Sequence, residues 1–312
     1  MIVARTIAKT RSALAGLPRP LGFVPTMGAF HEGHLTLMRA ARERCATVVA
    51  SIFVNPTQFG PEEGYAQYPR DEAGDRALAK KEGVDLVFCP KADEMYRDGA
   101  ATTVIVTGPL TEAYEAAERR GHFDGVATVV TKLFAIVQPD VVFFGRKDAQ
   151  QLAVVRRLVL DLDLPAEVVG LDTVREPDGL ALSSRNACLS EAQRAKAADL
   201  YRALVAGRAV TGDGRRVIVN EVTSKLVLGF PPYLQEVPFD APSGPQFSVD
   251  YVDVVDPETF ERVDEPTPGS LIIAAARLGE TRLIDNLPIG EASEVDDQEA
   301  ATEAARTSGK KG

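Results

Sequence analysis

This 312-residue chain has only three histidines, and each lies in a glycine-containing run that could meet a charged ligand. His31 and His34 close the run Pro25-Thr26-Met27-Gly28-Ala29-Phe30-His31-Glu32-Gly33-His34. Two imidazoles at this spacing suit the phosphates of a nucleotide, with Gly28 and Gly33 allowing the backbone to come close. They could instead be a metal pair, but the zinc-protease arrangement needs i, i+4 spacing and a third ligand, and neither is evident. His122 stands in Gly121-His122-Phe123-Asp124-Gly125.

Three further runs carry polar groups of the right kind. In Phe53-Val54-Asn55-Pro56-Thr57-Gln58, the amides of Asn55 and Gln58 can serve the hydroxyls and carboxylate of a small polar substrate. In Gly145-Arg146-Lys147-Asp148-Ala149-Gln150-Gln151, Lys147 is a compact charge for phosphate, and Gln151 is expected to face the same crevice one helical turn later. Leu182-Ser183-Ser184-Arg185-Asn186 lines up two hydroxyls and a guanidinium, a set able to hold phosphate oxygens. The chain has no Walker-A glycine loop, so a nucleotide is not expected to be held in P-loop fashion.

These runs need elements that bring them together. Leu21 to Thr26 reads as a strand, and His34 to Arg44 as a helix with Leu35, Met38 and Ala41 at helical spacing. Thr47 to Val54 is a continuous apolar stretch rich in β-branched residues, which suits a parallel strand covered on both faces. Asp71 to Glu82 reads as a helix, Asp85 to Cys89 as a strand, Val126 to Val137 as a Val-rich helix stopped by Pro139. Val141 to Phe144, Ala149 to Leu160 and Glu167 to Leu171 continue the alternation. Ser190 and Gln193 form a capping box opening one helix to about Ala206. The alternation predicts a doubly wound α/β domain, in which the ends of successive strands share one ligand-binding edge. Four of the five runs fall where a strand gives way to a helix.

Beyond residue 176 the pattern changes. Val249 to Val255, Ser270 to Ala276 and Thr281 to Asp285 read as strands, with Pro and Gly clustered from Phe230 to Gln246 and from Pro257 to Gly269. The expected domains are 1–176 (α/β), 177–289 (a small α+β domain closing over the site) and a disordered tail, 290–312, with no apolar periodicity.

Composition sets the outer limits. Lys and Arg number 35 and Asp and Glu 45, a net charge of −10, which argues against coating a nucleic acid. Cys45, Cys89 and Cys188 are few and far apart, so neither a disulfide framework nor a zinc site is expected. The first fifteen residues carry Arg5, Lys9 and Arg11 with no unbroken apolar run, and no stretch approaches 18 apolar residues. A cytoplasmic protein with no membrane partner is expected.

The motifs together resemble the pantothenate synthetase (pantoate–β-alanine ligase) family. The resemblance rests on PTMGAFHEGH, FVNPTQF, YPR at Tyr68 to Arg70, GHFDGVATVVTKLF, FFGRKDAQQL, TVRE at Thr173 to Glu176, GLALSSRN and RLGETRLIDN at Arg277 to Asn286, in the family's order over about residues 1–290. It implies a Rossmann-like nucleotidyltransferase domain with a parallel sheet, a smaller α+β C-terminal domain, and a homodimer. It also implies the ATP- and Mg²⁺-dependent condensation of pantoate with β-alanine to pantothenate through a pantoyl-adenylate, releasing AMP and diphosphate.

By position, the resemblance implies that Met27, Gly28, Ala29, Phe30, His31, Glu32, Gly33 and His34 line the ATP site, with His34 as proton donor and His31 and Lys147 as catalytic partners. Gly145, Arg146, Lys147, Asp148, Val174, Leu182, Ser183, Ser184 and Arg185 would surround the nucleotide. Gln58 and Gln151 would hold pantoate, and Gln58 also β-alanine. Asn55, Tyr68, Asp75, Glu115, Arg119 and His122 match further pocket or loop positions, with Asp75 a metal contact through water. The sequence departs from the family's usual residues at Gly64, Arg120, Arg146, Ala149 and Leu182. Arg120 and Arg146 are expected to add positive charge near the triphosphate. The residues alone leave open another adenylyl- or cytidylyltransferase of the same superfamily, or a nucleotide-binding protein without catalysis.

Overall fold

The structure is a computed structural model that describes residues 1–60, 64–210, 212, 214–229 and 245–290. The expected tail after Gly290 and most of the Pro- and Gly-rich stretch from Phe230 to Gln246 lie outside the described residues. The chain falls into two compact units. Met1–Val174, Leu182–Ser184 and Glu258–Phe260 make the first, and Arg175–Ala181 with the described parts of Arg185–Pro257 and of the chain from Glu261 make the second.

The first unit runs β1 (Ile2–Ala4), α1 (Ile7–Leu14), β2 (Leu21–Thr26), α2 (Glu32–Arg44), β3 (Thr47–Ile52), α3 (Glu72–Lys81), β4 (Leu86–Phe88), α4 (Ala92–Met95), α5 (Glu115–Glu118), α6 (His122–Val137), β5 (Val141–Gly145), α7 (Ala149–Asp161) and β6 (Glu167–Leu171). Among the described residues the six strands form one parallel sheet in the order β1-β4-β3-β2-β5-β6. From β2 the chain steps outward through β3 to β4, then crosses back to β5 on the other side of β2. The direction reverses between β2 and β5, and the crevice at such a reversal is where open α/β sheets bind ligands.

The apolar pattern explains the layers. β3 buries Thr47 to Ser51 without interruption, as a strand covered on both faces must. On one face α2 and α3 pack Met38, Ala41 and Ala79 against Val24, Val48, Ala50 and Val87. On the other, α6 touches β2, with Phe134 edge-on to Phe23 at 6.5 Å. Gly22 in β2 allows this density, because a Cβ there would stand 2.8 Å from the Cys45 sulfur.

The second unit holds α8 (Glu191–Ala197), α9 (Asp199–Ala209) and α10 (Arg215–Leu228), then β7 (Phe247–Val255), β8 (Leu271–Leu278) and β9 (Thr281–Pro288). The three strands form an antiparallel sheet. Leu200, Leu204, Ile218, Val222 and Leu226 cover it, packed with Val254, Ile272, Ala274 and Leu283. Arg175 pairs with buried Asp285 at 2.6 Å and lies over the Tyr201 ring.

Two elements of this unit differ from those the sequence predicts. The helix expected from Ser190 to about Ala206 is two helices. The Ser190–Gln193 capping box is present, but the Ala198 N–H bonds to Lys196 rather than four residues back, and α9 restarts at Asp199. Asp199 takes Lys196 and Arg202 as salt-bridge partners at this new helix start, where an acidic side chain is favoured. The sequence reading also missed α10. Its buried residues keep the i, i+4 step (Ile218, Val222, Leu226), but exposed Val217, Val227 and Leu228 blur the stripe.

Candidate active site

The β2–α2 connection is built around α3. Thr26 ends β2 with its hydroxyl donating to the Ser51 carbonyl and accepting the Gly28 N–H. Gly28 has φ +86° and Ala29 φ +55°, so two successive residues take left-handed backbone. The Ala29 and Phe30 N–H groups then both donate to Asp75, at 2.8 and 2.7 Å, one to each carboxylate oxygen. Asp75 is buried and sits in the first turn of α3, capped by Asp71.

His31 caps α2 in extended backbone, and its N–H donates to His34 Nδ1 at 3.3 Å. The two imidazole centroids are 4.2 Å apart, and Phe30 stacks on His34 at 5.4 Å. Gly33 lets the His31 ring lie against the helix, because a Cβ there would be 3.0 Å from the ring. Since His34 Nδ1 accepts, its Nε2 carries the hydrogen in the neutral ring. Burial pushes the His34 pKa down to about 3, with His31 adding to the effect. Burial and the nearby Lys147 also lower His31. His31 Nδ1 is buried without a hydrogen-bond partner among the described residues. Glu32 faces away, pairing with Arg39, which also reaches Glu82.

At the end of β5, Arg146–Asp148 form a 3₁₀ turn leading into α7. Lys147 is mostly buried and lies 3.9 Å from Asp148. Arg146 reaches Asp172 at 2.8 Å in an exposed pair. Arg120 is exposed and Ala149 half-buried.

The strand β3 ends in a second constellation. Asn55 is buried and heavily engaged: its Oδ1 accepts from the Tyr96 hydroxyl, the Thr57 hydroxyl and the Thr57 N–H, while Nδ2 donates one N–H to the Gly125 carbonyl. Gln58 is the opposite case. Its backbone carbonyl accepts from His122 Nδ1 at 2.9 Å, and Arg119 donates to the other ring nitrogen at 3.0 Å. Its side-chain amide has no hydrogen-bond partner among the described residues. Gly125 makes the approach of α6 possible, since a Cβ there would fall 2.2 Å from the Thr57 carbonyl oxygen.

Gln150 and Gln151 repeat the contrast. Gln150 donates to the Leu110 and Ala113 carbonyls and accepts the Glu115 N–H. Gln151 keeps its amide unengaged among the described residues. Tyr68 lies edge-on to Phe59 at 5.9 Å, and Arg70 holds the carbonyls of Tyr65, Ala66 and Tyr68. Gly64 is exposed beside Gln67. Val174 accepts the Leu182 N–H at 2.9 Å, which sets the start of the Ser183-Ser184 segment. Arg185 belongs to the second unit.

Sequence reasoning missed Tyr96 and Gln150, because an isolated Tyr and the first of two Gln carry no spacing signal. It read Asn55 as a ligand group. The Asn-Pro-Thr triplet does hold a signal for its observed structural work, since Asn favours bonding the backbone two residues on.

A family model described as pantoate-beta-alanine ligase matches residues 2–288. The chain belongs to the pantoate–β-alanine ligase family. Pantothenate synthetase from Thermus thermophilus is 51% identical over 286 residues, covering 91% of this chain and 99% of that protein. The one from Acidothermus cellulolyticus is 49% identical over 295 residues, 93% of this chain and 92% of that protein. The crystal structure of the Thermus enzyme matches with a TM-score of 0.83 at 50% identity, covering 92% of this chain and 99% of that one. That of the Francisella tularensis pantoate-beta-alanine ligase, complexed with beta-gamma ATP and beta-alanine, matches with a TM-score of 0.75 at 30% identity, covering 94% and 99%. The protein is thus a ligase of the pantoate–β-alanine ligase family, with the six-stranded parallel sheet and small antiparallel C-terminal sheet described above. No described helix is long and apolar enough to cross a membrane.

Proposed function

We propose that the protein joins (R)-pantoate to β-alanine through a pantoyl-adenylate, consuming ATP and releasing AMP and diphosphate. The observation that carries this reading is the division of labour among polar side chains at the carboxyl ends of β2, β3 and β5. Asn55, Asp75, His122 and Gln150 are engaged in holding the backbone, whereas the side-chain amides of Gln58 and Gln151 and the Nδ1 of His31 have no hydrogen-bond partner among the described residues. A binding site needs such unengaged groups beside a rigid frame.

In the first step a pantoate carboxylate oxygen attacks the α-phosphorus, and the bond from that phosphorus to the diphosphate oxygen breaks. Gln58 and Gln151 hold pantoate, Gln58 also meets β-alanine, and Met27 to His34, Gly145 to Asp148, Val174 and Leu182 to Ser184 surround the nucleotide. Lys147 and the imidazoles of His31 and His34 stabilise the charge gathering on phosphate oxygens, the term that dominates such transfers. His34 acts as a neutral imidazole. Burial lowers its pKa to about 3, so the neutral ring presents Nε2–H as a donor toward the phosphate oxygens. In the second step the neutral β-alanine amine attacks the acyl carbon, the C–O bond to AMP breaks, and the amine loses its extra proton to solvent.

Mg²⁺ enters with ATP as part of the substrate. The working form is a cytoplasmic homodimer, as the resemblance implies.

Product analysis tests the reading. With pantoate, β-alanine and MgATP the expected products are pantothenate, AMP and diphosphate, with AMP release requiring β-alanine. The Lys147→Ala enzyme should be ~10²–10³-fold slower. Diphosphate release with no amide formed would identify a nucleotidyltransferase instead, and absence of any turnover would mark a nucleotide-binding homologue.

A further inference from the structure

Two consecutive backbone N–H groups that converge on one point make a concave donor pair able to hold an anion. The β2–α2 loop forms such a pair with Ala29 and Phe30, and Asp75 already fills it, one oxygen per N–H. The fit is close on the other side as well. A Cβ on Gly28 would stand 2.8 Å from Asp75 Oδ2 and 3.1 Å from the Ile52 side chain. Ala29, which is not glycine, is held at φ +55°, a conformation that persists only where neighbours impose it. Asp75 is 3% exposed and comes from a different element, α3.

We infer that Asp75 is a positioning residue for the nucleotide site: a built-in anion that occupies the loop's donor pair and fixes the path into His31 and His34. The inference rests on the proposed ligase reading. The backbone donors left for a phosphate are then at the start of α2, beside His31 and Lys147, and the Ala29 and Phe30 N–H groups are withdrawn from ligand binding. Burial pushes the Asp75 carboxyl up, and the Phe30 and Ala29 N–H groups oppose that shift.

The test is Asp75→Asn. The amide oxygen can still accept one N–H, but its NH₂ faces the other. ATP affinity, measured by calorimetry with a non-hydrolysable ATP analogue, should weaken about tenfold or more, the scale of losing a hydrogen bond to a charged group. KM for ATP should rise likewise while KM for β-alanine stays near the wild-type value. Raising Mg²⁺ should not restore either quantity. Unchanged ATP affinity would overturn the inference, and so would recovery at high Mg²⁺, which would make Asp75 a metal contact. If Asp75→Asn does not fold, Asp75→Glu, which keeps the charge but displaces it, is measured for the same loss. The calorimetric readout needs no turnover, so a wild-type enzyme that makes no pantothenate would sink the ligase reading and leave this one to be decided separately.

Discussion

Gln150 and Gln151 are neighbours in α7 with opposite fates: Gln150 commits its amide to Leu110, Ala113 and Glu115, and Gln151 commits its own to nothing among the described residues. The same amide chemistry therefore serves as scaffold at one position and is offered to a ligand at the next.

Alanine at each position should separate the two roles. Gln150→Ala leaves two carbonyls and an N–H of the 110–115 segment without their partner, at about 1–3 kcal/mol for each buried group. A fall in Tm of several degrees is expected. Gln151→Ala should keep the wild-type Tm and lose kcat/KM for pantoate. Thermal unfolding and steady-state kinetics read both, and a reversed pattern would contradict the assignment of scaffold to Gln150 and ligand contact to Gln151.

His34 gives a pH prediction. Its pKa in the folded protein is lowered from about 6.5 to about 3. Between those values the unfolded chain takes up a proton at His34 and the folded protein does not, so stability from this group falls as pH drops below about 6.5. Above about 6.5 both states are neutral there and the contribution is flat. In an NMR titration the His34 ring signals should stay those of the Nε2–H tautomer from about pH 8 to about pH 5, a range that lies above the lowered pKa. A midpoint near the ordinary imidazole value of about 6.5 would remove the basis for a neutral donor.

Gly125 tests the brace under Gln58. Replacing an exposed helical Gly by Ala stabilises a helix by about 1 kcal/mol. Here the new methyl would lie 2.2 Å from the Thr57 carbonyl oxygen, so α6 and the Gln58 turn must separate. Gly125→Ala is expected to lower Tm and raise KM for pantoate together. A variant with raised Tm and unchanged KM would show that the contact carries no positional information.

The logic of the parallel sheet is visible in the sequence because period and composition act locally. The β-branched run at Thr47 and the Val-rich stripe of α6 each point to a buried layer, and runs at strand ends point to a shared edge. What stayed hidden depends on contacts across long separations. Asp75 lies 46 residues from Ala29, and nothing in the Asp71 to Glu82 helix marks one of its acids as a partner of the β2–α2 loop. Asn55 looked like a ligand group because its chemistry suits one. Only the positions of Tyr96 and Gly125 reveal that its Oδ1 and one of its N–H groups also brace the loop. The exposed pairing of Arg146 with Asp172 is likewise one that no spacing rule connects.

In the proposed reaction pantoate is activated on phosphorus before the amine arrives. Exchange of labelled diphosphate into ATP measures this directly. Exchange is expected to require pantoate, to proceed without β-alanine, and to slow by ~10²-fold or more in Lys147→Ala. Exchange without pantoate, or none until β-alanine is added, would contradict it.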